Sequence, residues 1–198
     1  MSDAEPGARR PRARRPRRAA QPDAPLVETL GPPISSVGWS PALVAQALEI
    51  LPVGLRAGAL FWLKPVHAES LRVGLPPVAA PGDVVLATLR WYPLTPRVAH
   101  STSWRYVAGR VILTYVVVVD PPGALPDGTL AELPVARAAL ARGDALAPPP
   151  AIGVAAVLEH ALRHLSWLLR DDPAIAAALA GWAGALGDYQ PEPFRALG

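Results

Sequence analysis

Between Arg110 and Asp120 the chain reads Val-Ile-Leu-Thr-Tyr-Val-Val-Val-Val, with apolar side chains at odd and even positions alike. β-branched residues on this scale favour extended backbone. Successive side chains of a strand point to opposite faces, so this strand is apolar on both faces. A strand of that kind belongs in the middle of a sheet covered on both sides. Pro121-Pro122-Gly123 ends it.

Other strands are expected around it. His100 to Val107 reads as a strand joined to the central one by a short Ala108-Gly109 turn, with Gly where a positive φ is needed. Ala59 to Leu63 is a third strand, stopped by Pro65. Asp83 to Tyr92 alternates Val85, Ala87, Leu89 and Trp91 and reads as a fourth, broken by Pro93.

Helices are expected at both ends. Over 41–51, Leu43, Val44, Ala47, Leu48 and Leu51 form a helical stripe behind a Ser40 cap and Pro41, and Pro52 ends it. A short helix over 134–142 is closed by Gly143. A long one covers 151–170, and Asp172-Pro173 caps and starts another over 173–186. The fold class is α+β: an antiparallel sheet of four or more strands in the middle of the chain, packed against C-terminal α-helices.

Charge divides the 198-residue chain unevenly. Residues 1–24 hold seven Arg against three acids, and 25–198 hold 12 basic and 13 acidic residues. The segment 1–24 also lacks large apolar side chains, so it reads as a disordered Arg/Pro-rich tail, with 25–198 as one globular domain. The run 9–18 suits weak, salt-sensitive polyanion binding; an inert extension is the plain alternative. The body has no basic surplus for phosphates.

The chain has no Cys, which excludes disulfides and thiolate metal sites. No apolar run reaches the length of a membrane span, and no secretory leader is visible, so a cytoplasmic location is expected. A Gly-rich phosphate loop, a G-x-S-x-G elbow, an H-E-x-x-H helix and the Glu-rich helix of Nudix hydrolases are all missing. No cofactor is implied.

Three constellations remain. On the strand at 100–107, His100, Thr102, Trp104 and Tyr106 should share one face, and Ser101, Ser103 and Arg105 the other. Arg90, His100, Thr102, Arg105 and Thr114 could line a polar pocket for an anionic ligand, with His100 as a candidate general base. A solvent-facing sheet surface is the ordinary alternative. On the long helix, His160 and His164 lie one turn apart, the spacing of a transition-metal pair, with His100 or His67 as a possible third ligand. Trp167 projects off the apolar stripe near His160 and Arg163. It is covered either by Trp182, Tyr189 or Phe194 or by a partner.

These features favour a non-catalytic domain that binds a protein partner or itself. The first alternative is a small enzyme or binding domain for an anionic metabolite around His100. The second is non-specific nucleic-acid association through residues 9–18.

Overall fold

The computed structural model describes residues 45–125, 128–141 and 151–191. The Arg-rich segment 1–24, Ser40 and Pro41, Gly143, Pro148 to Pro150 and Phe194 lie outside those residues. In chain order the elements are β1 (Ala45–Arg56), β2 (Ala59–Pro65), β3 (Leu71–Leu75), α1 (Pro81–Trp91), β4 (Pro96–Val107), β5 (Arg110–Val119), β6 (Leu130–Pro134), α2 (Val154–Asp171), α3 (Pro173–Ala178) and α4 (Ala183–Leu186).

The six strands form one sheet in the order β4-β5-β1-β2-β6, with β3 also paired to β1. The apolar run at 110–119 is β5, an interior strand covered on both faces. Val116 and Val118 join Leu51 and Val53 under α2, α3 and α4. Val117 and Val119 join Leu48, Ile50, Leu63 and Leu71 under α1. The domain is a three-layer α/sheet/α stack, with β4 and β6 at its edges.

The sheet is mixed, not purely antiparallel as expected, because β1 and β5 run parallel from Ala45↔Arg110 to Val53↔Val118. The reason is that 45–56 is a strand rather than the C-terminal part of a helix over 41–51. Its residues do carry a helical stripe, but pairing on both sides in the middle of a sheet overrides that local pattern. Pro52 does not end the strand. On the flank away from β5, β1 pairs with β3 through Ile50 and with β2 from Val53, and Pro52 falls in the gap between them. A residue without an N–H is tolerated at such a break in the ladder.

Residues 83–92 are the second correction. They form α1, not a strand, and bury Val85, Thr88 and Leu89. Pro81 occupies the favoured first position. Val85, Thr88, Leu89 and Tyr92 recur at helical spacing, and the buried Thr88 hydroxyl donates to Val84 O at 2.8 Å. The apolar alternation over 85–91 was compatible with either period.

The helix expected over 134–142 is also absent. Pro134 ends β6, which pairs with β2, and 135–141 run without regular structure, Arg142 being outside the described residues. The Ala138 N–H goes to the Glu159 carboxylate at 3.3 Å instead of a helical carbonyl. The helix expected over 173–186 is two short ones, interrupted at Gly181, whose φ is +89°. Asp172 caps α3 as expected, accepting from Ala174 N and Ile175 N. The Ala108-Gly109 turn holds as well: both residues have positive φ, 47° and 83°, as a two-residue hairpin of this hand requires.

Among the described residues no helix is long and apolar enough to cross a membrane.

Candidate functional site between β4 and α2

The site begins with an irregularity in β4. His100 lies opposite Val116 and Ser101 opposite Tyr115, but Ser103 rather than Thr102 lies opposite Thr114. Thr102 is the extra residue of a β-bulge, which re-aims every side chain beyond it. The expected faces are therefore mixed. His100, Ser103 and Arg105 turn to the α2 side, with Val116, Thr114 and Ile112. Trp104 and Tyr106 turn the other way, opposite Leu113 and Val111, and are 69% and 62% exposed.

Arg105 meets a carboxylate that sequence reasoning missed. Glu49 of β1 is fully buried on the same face. Its Oε1 accepts from Ser70 Oγ at 2.6 Å, Arg72 Nε at 2.9 Å and Arg72 Nη2 at 2.8 Å. Its Oε2 lies 2.6 Å from Arg105 Nη2, an ion-pair contact without an aligned N–H···O bond. Arg105 Nη1 donates to Thr114 Oγ1 at 3.0 Å. Burial pushes the Glu49 carboxyl up, but Arg105, Ser70 and Arg72 outweigh it, so its pKa lies below the ordinary carboxylate value. Two guanidiniums against one carboxylate leave a surplus of one positive charge. A strand pattern would have flagged Glu49: on a period of two it falls in line with Ala47, Leu51 and Val53, an acid in an apolar row.

Beside this cluster a half-open cleft of about 160 Å³ lies between β4, the segment ending at Ala141 and the start of α2. Its polar lining is Ser103, Arg105 and His160. Leu140, Ala141, Ile152, Ala156 and Val157 form apolar walls, and Trp104 also borders it. Among the described residues no carboxylate lines it. The first turn of α2 carries no acidic residue, and Gly153 offers no side-chain cap.

The Thr102 backbone carbonyl lies beside the His160 ring and favours its protonated form, against the larger effect of burial. The His160 ring packs 4.6 Å from that of His164, which lies 6.0 Å from His100. So β4 and α2 do bring the three histidines together. No group of three or more His, Asp or Glu among the described residues is placed to hold a metal ion.

Burial holds all three imidazoles below their ordinary pKa. In His160 the Thr102 carbonyl opposes burial and Arg163 adds to it; in His164 the neighbouring His160 and His100 add to it. The unfolded chain therefore takes up protons first as pH falls. Folding stability should be level between about pH 7 and 9 and fall below the ordinary His value near 6.5. A further loss should follow below about 4.5, where the lowered carboxyls of Glu49 and Glu159 begin to protonate in the unfolded chain. Urea titrations at pH 7.5 and 5.5 check this: wild type should lose stability between them and His164→Leu should lose less. Equal stability of wild type at both pH values would contradict it.

The other expected site residues separate. Arg90 is exposed in the last turn of α1, on the opposite side of the sheet, because its segment is a helix. Thr102 and Thr114 are buried, and Thr114 orients Arg105 rather than facing a ligand. On α2, Arg163 is engaged within the chain: Nε donates to Glu159 Oε1 at 2.9 Å and Nη1 to Gln190 O at 3.1 Å. Glu159, one turn before Arg163, is buried and also binds Arg137. Trp167 is 47% exposed, while Trp182 and Tyr189 are buried in the core beside α2.

No family model and no curated protein matches the chain. Among solved structures, the solution structure of the E. coli ORF135 protein aligns with a TM-score of 0.32 and 16% identity. The alignment covers 44% of this chain and 72% of that one. A likeness this low carries no inference.

Proposed function

We propose that this domain binds a small anionic metabolite in the cleft between β4 and the first turn of α2. The observation that carries the reading is Arg105. Its side chain is only 10% exposed, and Thr114 and Glu49 hold it in place at a cleft whose described lining has no carboxylate. A guanidinium fixed before the ligand arrives loses little entropy on binding. The start of α2 supports the same sign of charge, since an uncapped helix N-terminus favours an anion. Clefts that combine apolar walls with a few convergent polar groups of shifted pKa are the usual form of a ligand site.

Calorimetric titration of the full chain with a panel of small anions tests the reading. At least one should bind with an affinity that falls tenfold or more in Ala156→Glu. Ala156 is the third residue of α2 and lines the cleft. Glu is favourable at that helical position, so the variant should fold while filling the site with like charge. Binding that is unchanged in Ala156→Glu, or absent throughout the panel, would exclude the reading.

The exposed Trp104 and Tyr106 on edge strand β4 support a second reading, a protein-binding or self-associating module. Sedimentation velocity across a range of concentrations tests self-association. Trp104→Ser should weaken any oligomer, and a monomer at every concentration would leave only a heterologous partner to seek by cross-linking at β4.

A further inference from the structure

We infer that the segment 136–141 is a strap over the cleft that opens and closes at one latch, the buried carboxylate of Glu159. The inference rests on the preceding reading for what the cleft receives, and deepens it by naming what controls entry. Leu140 and Ala141 of this segment are among the residues that line the cleft. The segment has no regular structure, and Ala136, Arg137, Ala139 and Ala141 are exposed. Among the described residues, every hydrogen bond that ties 136–141 to the rest of the chain ends on Glu159. Arg137 Nε donates to Oε2 at 3.0 Å and Nη2 to Oε1 at 2.9 Å, and the Ala138 N–H donates to Oε2 at 3.3 Å. The Arg137 guanidinium also lies 4.4 Å from the centre of the Tyr189 ring. Val135, just before the strap, is anchored separately, by its N–H to Leu60 O at 3.1 Å and by packing on the core under α2. The strap therefore swings without disturbing β6.

Charge makes the latch openable. A buried carboxylate left without a counter-charge is strongly destabilising. Glu159 is 1% exposed and has two counter-charges, Arg137 from the strap and Arg163 one turn on in α2, whose Nε donates to Oε1 at 2.9 Å. Arg163 belongs to the helix and is held there by Gln190 O as well. When the strap lifts, Glu159 keeps a one-to-one pair with Arg163, and water replaces Arg137 and Ala138 at Oε2. The Arg137 side chain is already 48% exposed, so it gives up little on entering water. Leu140 is the one apolar side chain on the strap larger than Ala, and it is half-buried, so lifting exposes little hydrocarbon. Few buried apolar contacts and few hydrogen bonds mark a segment that opens well short of global unfolding.

Amide exchange of the full chain, read residue by residue by NMR, tests the latch. The Ala138 N–H is the reporter, and the N–H of buried Val117 in β5 marks global opening. Ala138 should exchange far faster than Val117 in wild type. Arg137→Ala should speed Ala138 about tenfold or more, the effect of losing a charge-assisted bond. Arg163→Ala should act in opposite directions on the two amides. It destabilises the fold and speeds Val117, but it leaves Glu159 unpaired when the strap lifts, so Ala138 should become no faster. A thiol at Val157 reads the consequence for the cleft, which Val157 lines at 5% exposure in a chain without Cys. Reaction of Val157→Cys with neutral dithiodipyridine should quicken about tenfold or more when Arg137→Ala is added. Ala138 exchange as slow as that of Val117, or both amides sped alike by Arg163→Ala, would mean that the segment leaves only when the domain unfolds, and overturns the strap. An unchanged thiol reaction overturns its control of the cleft. No anion takes part in these readouts, so their failure is distinct from failure of the anion panel.

Discussion

Replacing Glu49 by Ala should lower folding stability by about 3–5 kcal/mol, the usual effect of removing one member of a buried ion cluster. Glu49 is fully buried, and Arg72 and Arg105 converge on its two oxygens from β3 and β4. Without the carboxylate, two guanidiniums that are 22% and 10% exposed face each other with no counter-charge between them. Ser70 also loses the acceptor of its 2.6 Å bond. A urea denaturation midpoint measures the effect, and a change within about 1 kcal/mol of wild type would mean that water reaches the cluster freely.

The informative companion replaces all three charges together, Glu49→Met with Arg72→Leu and Arg105→Leu. Apolar groups of similar volume can match or exceed a buried ion cluster in stability. That variant should recover most of the loss while failing to bind any anion. If so, the cluster is kept for what Arg105 does at the cleft and not for holding the sheet together.

The second large effect concerns two tryptophans. Trp182→Ala should cost about 3–5 kcal/mol, which lowers Tm by about 6–20 °C at a few degrees per kcal/mol. Trp182 is 3% exposed and sits in the cluster of Leu158, Ala161, Leu162 and Leu165 of α2 with Leu179 and Leu186. It attaches the short helices α3 and α4 to the domain. Trp167→Ala, on the same side of the sheet, should cost far less, because Trp167 is 47% exposed. Thermal unfolding of the two variants side by side decides the point. Comparable losses would mean that Trp167 is covered in solution, which would support the protein-binding reading.

Much of the central architecture was legible in residue patterns. The apolar run at 111–119 implied an interior strand with both faces covered. Ala108-Gly109 implied a tight hairpin, and Asp172-Pro173 a helix start, since each rests on the local dihedral preference of one or two residues. The errors share one cause. Residues 45–51 and 85–91 are apolar segments whose spacing suits either period, and only their neighbours choose between helix and strand. Val85 and Leu89 lie on one helical face as readily as on one strand face. A parallel partner at β5 is more than fifty residues away from β1 in sequence, beyond the reach of any local pattern.

The candidate site divides the same way. Arg105, His160, His164 and His100 stood out by residue type and spacing, and β4 and α2 do bring them together. Glu49 and Arg72 did not stand out, because a carboxylate reads as solvated until the strand that carries it is known to be interior. Local chemistry decided which strand is central, where the hairpin turns and which side chains are able to bind an anion. The bulge at Thr102 decided which of them face α2. One extra residue in a strand of period two reverses every position after it, and nothing in Ser-Thr-Ser announces it before the register against β5 is set.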